Sequence, residues 1–353
     1  MKFFKSLSCL CVILGLLVVL TGCPETADTG KTPKTKGKVY ITYFDTVSYV
    51  YSYAGDSDEQ FNENCDGVSA ILEEYHNLFD IYYEHSGVVN LCTLNKNAGG
   101  EAMVVDEKLI DFLLYAKELY TLTNGEMNVM MGSVLRLWHD CREAAGKDPK
   151  SACIPSEEAL ANAAQHVDFA SLEIDEQNST VRISDPEASI DVGALGKGYA
   201  TEKAAQYLKE KGAESYVLNI GGNIRIIGQK PDGSGWLTGI KNPHDPDYYV
   251  KYITISDVSC VTSGDYERYY TVNGVRYHHI IDKDTLMPSE YFSLITVITP
   301  DSALADALST ALFCMSYEDG LALVNSIDGV EVFWIDRNGN QYMTEGFSAL
   351  VNE

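Results

Sequence analysis

Two hydrophobic rhythms run through this chain, and their order constrains its fold more than any other feature. Between residues 57 and 83 apolar side chains recur at helical spacing, at Val68, Ile71, Leu72, Tyr75, Leu78 and Phe79. The spacing returns over residues 106–120, with Asp106 as the expected cap, and over 127–138, and a short helix is expected after Pro155. Residues 39–53 are instead rich in Tyr, Val and Thr and read as β-structure. Further strands are expected at 180–183, 216–227 (broken at Gly221-Gly222), 249–255, 269–272, 276–281, 293–298 and 329–335. Helices over 197–211 and 303–315 lie among them. No repeat and no internal boundary interrupts this mixture, so a mixed α+β domain is predicted.

The amino terminus has a different character. Lys2 and Lys5 precede an apolar run from Leu10 to Leu20, too short to be expected to span a bilayer, and then Leu20-Thr21-Gly22-Cys23. Small residues directly before a cysteine are similar to a bacterial lipobox. A signal peptide is expected over residues 1–22, with Cys23 lipidated and holding the protein on the extracytoplasmic face of the cell membrane by its acyl chains. Residues 23–37 are small, polar and contain proline, which predicts a flexible tether, with the folded body at 38–353.

The formal net charge is −25. Such a chain repels phosphate backbones, so nucleic acid is excluded as a partner, and any anionic ligand must be held locally by cations, helix N-termini or backbone N–H groups. Nine cysteines include no C-x-x-C pair, which argues against structural zinc. Cys141 and Cys153 flank a polar stretch that reads as a loop, and outside the membrane they are candidates for a disulfide. Cys92 and Cys314 sit in apolar contexts and read as core residues.

Three segments carry candidate chemistry. In Ser189-Ile190-Asp191-Val192-Gly193-Ala194-Leu195-Gly196-Lys197-Gly198-Tyr199-Ala200 a short strand enters a glycine-rich turn and then a helix. This suits an anion at a helix N-terminus and equally suits a plain tight turn; it matches neither G-x-x-x-x-G-K-[ST] nor G-x-G-x-x-G. In Ala305-Asp306-Ala307-Leu308-Ser309-Thr310-Ala311, Asp306 and Thr310 share a helix face at i, i+4. They fit a hard cation such as Mg²⁺, or simply a first-turn acid and a hydroxyl bonded back to its own helix. After Thr262-Ser263-Gly264-Asp265-Tyr266 comes Tyr277-His278-His279-Ile280-Ile281-Asp282. Adjacent histidines on a strand face opposite ways, so one is free to act as acid or base near neutral pH.

These segments, with Asn219-Ile220-Gly221-Gly222-Asn223 between them, resemble in order and spacing the ApbE family of FAD:protein FMN transferases over residues 39–351. The resemblance implies a T-fold-like α/β domain that binds FAD between two lobes. It implies Mg²⁺ held by Asp306, Thr310 and the carbonyl of Ala194, and FAD contacts at Asp191, Lys197 and Ile281. It makes His279 and Asp306 the catalytic residues, with Asp282 free to orient His279. Phe44-Asp45-Thr46 stands where the family often has Met-Gly-Thr near the flavin, Tyr82 matches an aromatic residue near the isoalloxazine, and Glu126-Met127-Asn128 matches a further ligand-contacting stretch. The chain departs from the pattern at Asn128, where many members are acidic, and at Leu286, where a glycine is usual; the Cys141–Cys153 stretch looks like an insertion. The implied reaction moves FMN from FAD onto a Ser or Thr of an acceptor flavoprotein and releases AMP. The alternatives are a FAD pyrophosphatase and a FAD-binding lipoprotein without catalysis.

Overall fold

The computed structural model describes residues 35–352, which belong to one compact unit. The signal segment, Cys23 and most of the tether lie outside the described residues. Among those described, no helix is long and apolar enough to cross a membrane.

An eight-stranded antiparallel sheet organises the unit. In spatial order its strands are Lys36–Tyr40, Ser48–Ser52, Ser215–Ile220, Asn223–Gly228, Ser259–Gly264, Phe292–Thr299, Glu331–Asp336 and Gln341–Met343. All eight residues of Phe292–Thr299 are buried, because the sheet is covered on both faces. Successive side chains on a strand point to opposite faces. Ile295 and Val297 therefore join Val332 and Trp334 beneath the helices, while Leu294 and Ile298 join Phe333 and Ile335 beneath the hairpin formed by Trp236–Asn242 and Asp245–Ile255. The polar members of Phe292–Thr299, namely Ser293, Thr296 and Thr299, are buried along with the apolar ones.

Three helices cover the functional face. Asp58–Phe79 is capped by Ser57, whose hydroxyl accepts from the Gln60 N–H, and it packs on Gly196–Glu210, which packs in turn on Ser302–Ala311. Arg225, buried on the strand Asn223–Gly228, ties this layer to the sheet. Its Nε lies 3.2 Å from Glu202 Oε2 on the middle helix, and the same oxygen accepts from the Ser302 N–H at 3.0 Å.

The structure corrects several expectations. The first strand starts at Lys36 rather than 39, because Lys36 and Gly37 pair with Ser52 and Tyr51 across the first hairpin. The helix expected at 127–138 begins only at Gly132 and runs to Lys147. The chain before it follows residues 189–191 instead: the Gly132 N–H donates to the Ser189 carbonyl at 3.0 Å, and a Cβ at Gly132 would overlap that carbonyl. Half of the expected loop between Cys141 and Cys153 is therefore helix, and those two cysteines form a disulfide. The last histidine strand ends at His278, leaving His279 just beyond it.

Candidate active site

Asp191 is held from two sides. The Asn95 side chain donates to the Ile190 carbonyl at 2.9 Å and accepts from the Ile190 N–H at 2.7 Å, and the Asp191 N–H donates to the Val129 carbonyl at 2.8 Å. The Asp191 carboxylate then accepts from the Gly193 N–H at 2.8 Å and shapes the turn into the helix Gly196–Glu210. Burial raises this carboxyl above its ordinary range, while the Gly193 N–H and the nearby His139, Arg142 and Arg268 oppose the shift.

That helix brings Lys197 and Gly198 against Asp306. The Gly198 N–H donates to Asp306 Oδ2 at 2.8 Å, and Lys197 Nζ lies 3.8 Å from the same oxygen and 3.3 Å from the Gly193 carbonyl. A Cβ at residue 198 would overlap Asp306 Cβ and the Ser302 carbonyl, so the two helices approach this closely only around glycine. Burial raises the Asp306 carboxyl, opposed by Lys197, the Gly198 N–H and the Asn223 side chain. The Thr310 hydroxyl, on the same face, makes no recorded hydrogen bond, so it is not spent on its own helix.

A cation fits here by the chemistry of the donors. Asp306 and Thr310, one turn apart on their helix, offer only oxygen, the preference of a hard ion. Beside Asp306, the buried Asn223 Oδ1 has no partner. Among the described residues no three His, Cys, Asp or Glu side chains converge as a metal cluster, so an ion bound here would have one carboxylate and otherwise neutral oxygens.

The two histidines divide their work. His278 donates from Nε2 to the Ser289 carbonyl at 2.9 Å and accepts at Nδ1 from the Ile280 N–H at 3.3 Å, so both nitrogens are spent on structure. His279 keeps a fully buried Nδ1 with no partner. Burial holds its pKa well below 6.5, helped by Arg268, His278, Arg142 and Lys197, so the ring is neutral at neutral pH. Asp282 does not orient it: the Asp282 carboxylate accepts from the Asp284 and Thr285 N–H groups at 2.8 and 2.9 Å and builds the next turn. Leu286 occupies the left-handed region in that turn (φ 59°). Its N–H reaches the Asp282 carbonyl at 2.8 Å and its carbonyl accepts from Trp138 Nε1 at 2.9 Å, so the turn survives without glycine.

The remaining sequence candidates separate into packing and surface. Met127 is buried in the main core and offers a ligand only its backbone. Glu126 pairs with Lys283 at 3.2 Å, and Ile281 packs with Leu286 and Met287 in the cluster around Trp138. Phe44 and Asp45 both have positive φ (54° and 50°), and the Phe44 N–H reaches His76 Nδ1 at 3.3 Å. Asn128 donates from Nδ2 to the Val167 carbonyl at 2.9 Å, which a carboxylate cannot do, and accepts from the Met130 N–H. Asn128→Asp is therefore expected to destabilise the protein by about 1–3 kcal/mol at neutral pH, since it sets a charge against a carbonyl. Urea denaturation checks this, and an unchanged midpoint would count against the assignment.

Sequence reasoning found Tyr82 but missed His139, Arg142 and Arg268. Tyr82, with 44% of its surface exposed, places its hydroxyl 3.4 Å from His139 Nδ1, and Arg142 donates to the same nitrogen at 3.1 Å. Arg142 and His139 share one helix, and Arg268 follows the Thr262–Tyr266 motif. Two concavities of about 310 and 300 Å³ lie elsewhere, and both are lined by carboxylates, Glu74 and Asp106 in one and Asp111, Glu118, Glu202 and Asp301 in the other. Neither suits an anion.

Fold and site define a protein whose antiparallel sheet carries a helix layer that sets an all-oxygen donor group beside a neutral histidine and several cations. Its sequence matches the ApbE family model over residues 42–334, and the chain belongs to that family. It is 27% identical over 347 residues to a FAD:protein FMN transferase of Vibrio cholerae, covering 97% of this chain and 98% of the relative. It is 32% identical over 290 residues to one of Treponema pallidum, covering 76% and 77%. Among solved structures, the ApbE protein of Thermotoga maritima superposes with a TM-score of 0.79 at 26% identity, covering 91% of this chain and all of that one.

Proposed function

We propose that this chain is a Mg²⁺-dependent FAD:protein FMN transferase, anchored through lipidated Cys23 outside the cytoplasmic membrane. The observation that carries the reading is the convergence of Asp306, Lys197, Asp191 and the unpartnered His279 in a family whose relatives bear that name. The Cys141–Cys153 disulfide supports an oxidising location.

Asp306, Thr310 and the Ala194 carbonyl would hold Mg²⁺, which would supply charge neutralisation for phosphoryl transfer. A Ser or Thr hydroxyl of the acceptor flavoprotein attacks the phosphorus on the FMN side. The new O–P bond forms as the bond to the bridging oxygen breaks, and AMP leaves with that oxygen. His279 takes the hydroxyl proton at its free nitrogen, which its neutral state allows. Lys197 and the N-terminus of its helix steady the negative oxygens.

The test mixes the full chain with FAD, Mg²⁺ and a domain bearing a flavinylation motif, followed by a denaturing gel under ultraviolet light. A fluorescent acceptor band that requires Mg²⁺ supports the transferase. A dark acceptor with FMN and AMP in solution would replace it with a pyrophosphatase, and a dark acceptor with intact FAD would leave a binding protein.

His279 also predicts a pH dependence. Its folded-state pKa lies below the unfolded value of about 6.5, so the unfolded chain binds more protons as pH falls from 6.5 towards the folded value. Its contribution to stability is full above that window and is lost within it. His279→Gln should flatten the slope of stability against pH over that window, while lowering transfer by roughly 10²-fold or more. An unchanged slope in denaturation measured from pH 7 to pH 5 would remove His279 as the titrating group.

A further inference from the structure

His278 is fixed by two hydrogen bonds, but the buried Nδ1 of His279 has none, so the backbone on either side must set where that ring points. A general base works only when it is held to within about 0.5 Å of its place. Both flanks of His279 meet one helix, Gly132–Lys147. On the preceding side Tyr277 lies against the Trp138 ring, with centroids 5.9 Å apart and planes 25° from parallel. On the following side Trp138 Nε1 donates to the Leu286 carbonyl at 2.9 Å. The chain between is closed on itself: the Asp282 N–H donates to the Met287 carbonyl at 2.9 Å and the Ser289 N–H to the Ile280 carbonyl at 3.0 Å. A displacement at Leu286 is therefore carried back to His279.

The helix is braced in turn. Cys141, one turn beyond Trp138, is bonded to Cys153, and the Cys153 carbonyl accepts from the Tyr270 hydroxyl at 2.9 Å. Tyr270 is buried and faces Tyr277 across the hairpin of Tyr269–Val272 and Val275–His278. The circuit from Trp138 through the disulfide to Tyr270, Tyr277 and back to Trp138 thus closes around its own small apolar cluster, separate from the main core. Lys283 and Glu126, 3.2 Å apart, tie the turn after His279 from another side, so opening the circuit should displace His279 without unfolding the loop. The burial that keeps its ring neutral depends on the same packing.

We propose that the disulfide-braced helix Gly132–Lys147 is a splint for His279, with Trp138 and Tyr270 as positioning residues that act through the hairpin before it and the turn after it. The inference rests on the transferase reading for the reaction that His279 serves.

The test compares the full chain with Trp138→Phe, Tyr270→Phe, the pair Cys141→Ala with Cys153→Ala, and that pair combined with Tyr270→Phe, each shown to be folded by circular dichroism. Histidine ring resonances are followed against pH by nuclear magnetic resonance, with His279 assigned by its loss in His279→Gln. Flavin transfer is measured in parallel. In each variant the titration midpoint of His279 should rise towards the ordinary histidine value as water reaches the ring. The kcat for transfer should fall about tenfold with KM for FAD within about twofold. Tyr270→Phe should add little to the cysteine pair, because both open the same link. An unmoved midpoint and kcat in Trp138→Phe and in the cysteine pair would overturn the splint and leave the transferase standing. Effects of Tyr270→Phe and of the cysteine pair that simply add would separate the disulfide from the hairpin and also overturn it. A parent chain that transfers no FMN, while the variants still move the His279 midpoint, would overturn the transferase reading and leave the splint.

Discussion

Asp306→Asn is expected to reduce flavin transfer by roughly 10³-fold or more, the effect of losing several kcal/mol of charge stabilisation, without loss of fold. The amide oxygen can still accept from the Gly198 N–H that now bonds Asp306 Oδ2. Burial already opposes the charge on Asp306, so the neutral amide removes a cost instead of adding one. The expected result is thus a protein at least as stable as the parent and nearly inactive. Excess chelator should bring the parent down to the variant's rate and leave the variant unchanged. Transfer that survives both the substitution and the chelator would overturn the metal assignment.

Arg225→Met should act in the opposite way, on stability first. Arg225 is 2% exposed, and its partner Glu202 also receives the Ser302 N–H. Removing the guanidinium leaves a largely buried carboxylate, its side chain 13% exposed, without its counter-charge, at a cost of about 3 kcal/mol. That one carboxylate oxygen links the helix bearing Lys197 and Gly198, the strand bearing Asn223 and the helix bearing Asp306, so transfer should fall as the helices part. Thermal or urea denaturation measures the first effect. A double change to Arg225→Met and Glu202→Leu should recover much of it, because no charge is then stranded. A loss below about 1 kcal/mol, the value of an exposed pair, would show that the pair is not effectively buried.

Much of this architecture was legible because it follows local periodicity. The strand at 180–183 and the helix after Lys197 came within a residue or two, and the glycine pair at 221–222 marks the turn between two paired strands. Hairpins whose outer faces meet water or lack side chains left weaker signals, as in Trp236–Asn242, where Leu237 is exposed and Gly239 interrupts the pattern. The start of the helix at Gly132 was not legible, since it depends on the Ser189 carbonyl far along the chain.

The site divides in the same way. The spacing of Asp306 and Thr310 puts them on one helix face but fits a plain structural role as well, and strand alternation separates the two histidines without saying which is free. Which histidine is free follows only from Ser289, which consumes His278. Asn128 looks like a lost charge in sequence, yet it serves as a donor to Val167. Arg142 and Arg268 lie 126 positions apart, and only the folded chain brings both near enough to Asp191 to oppose the effect of its burial.

The acidic body and the cations near Asp191 and Asp306 act on ligand exchange at different ranges. At a distance the net charge of −25 repels an anionic nucleotide, and within a few ångströms those cations attract it. Added salt screens both, the long-range repulsion most strongly, so arrival quickens while departure also quickens. Ionic strength thereby acts on the rate of nucleotide exchange more than on its occupancy, since the surface charge slows entry and the cations at the site slow exit.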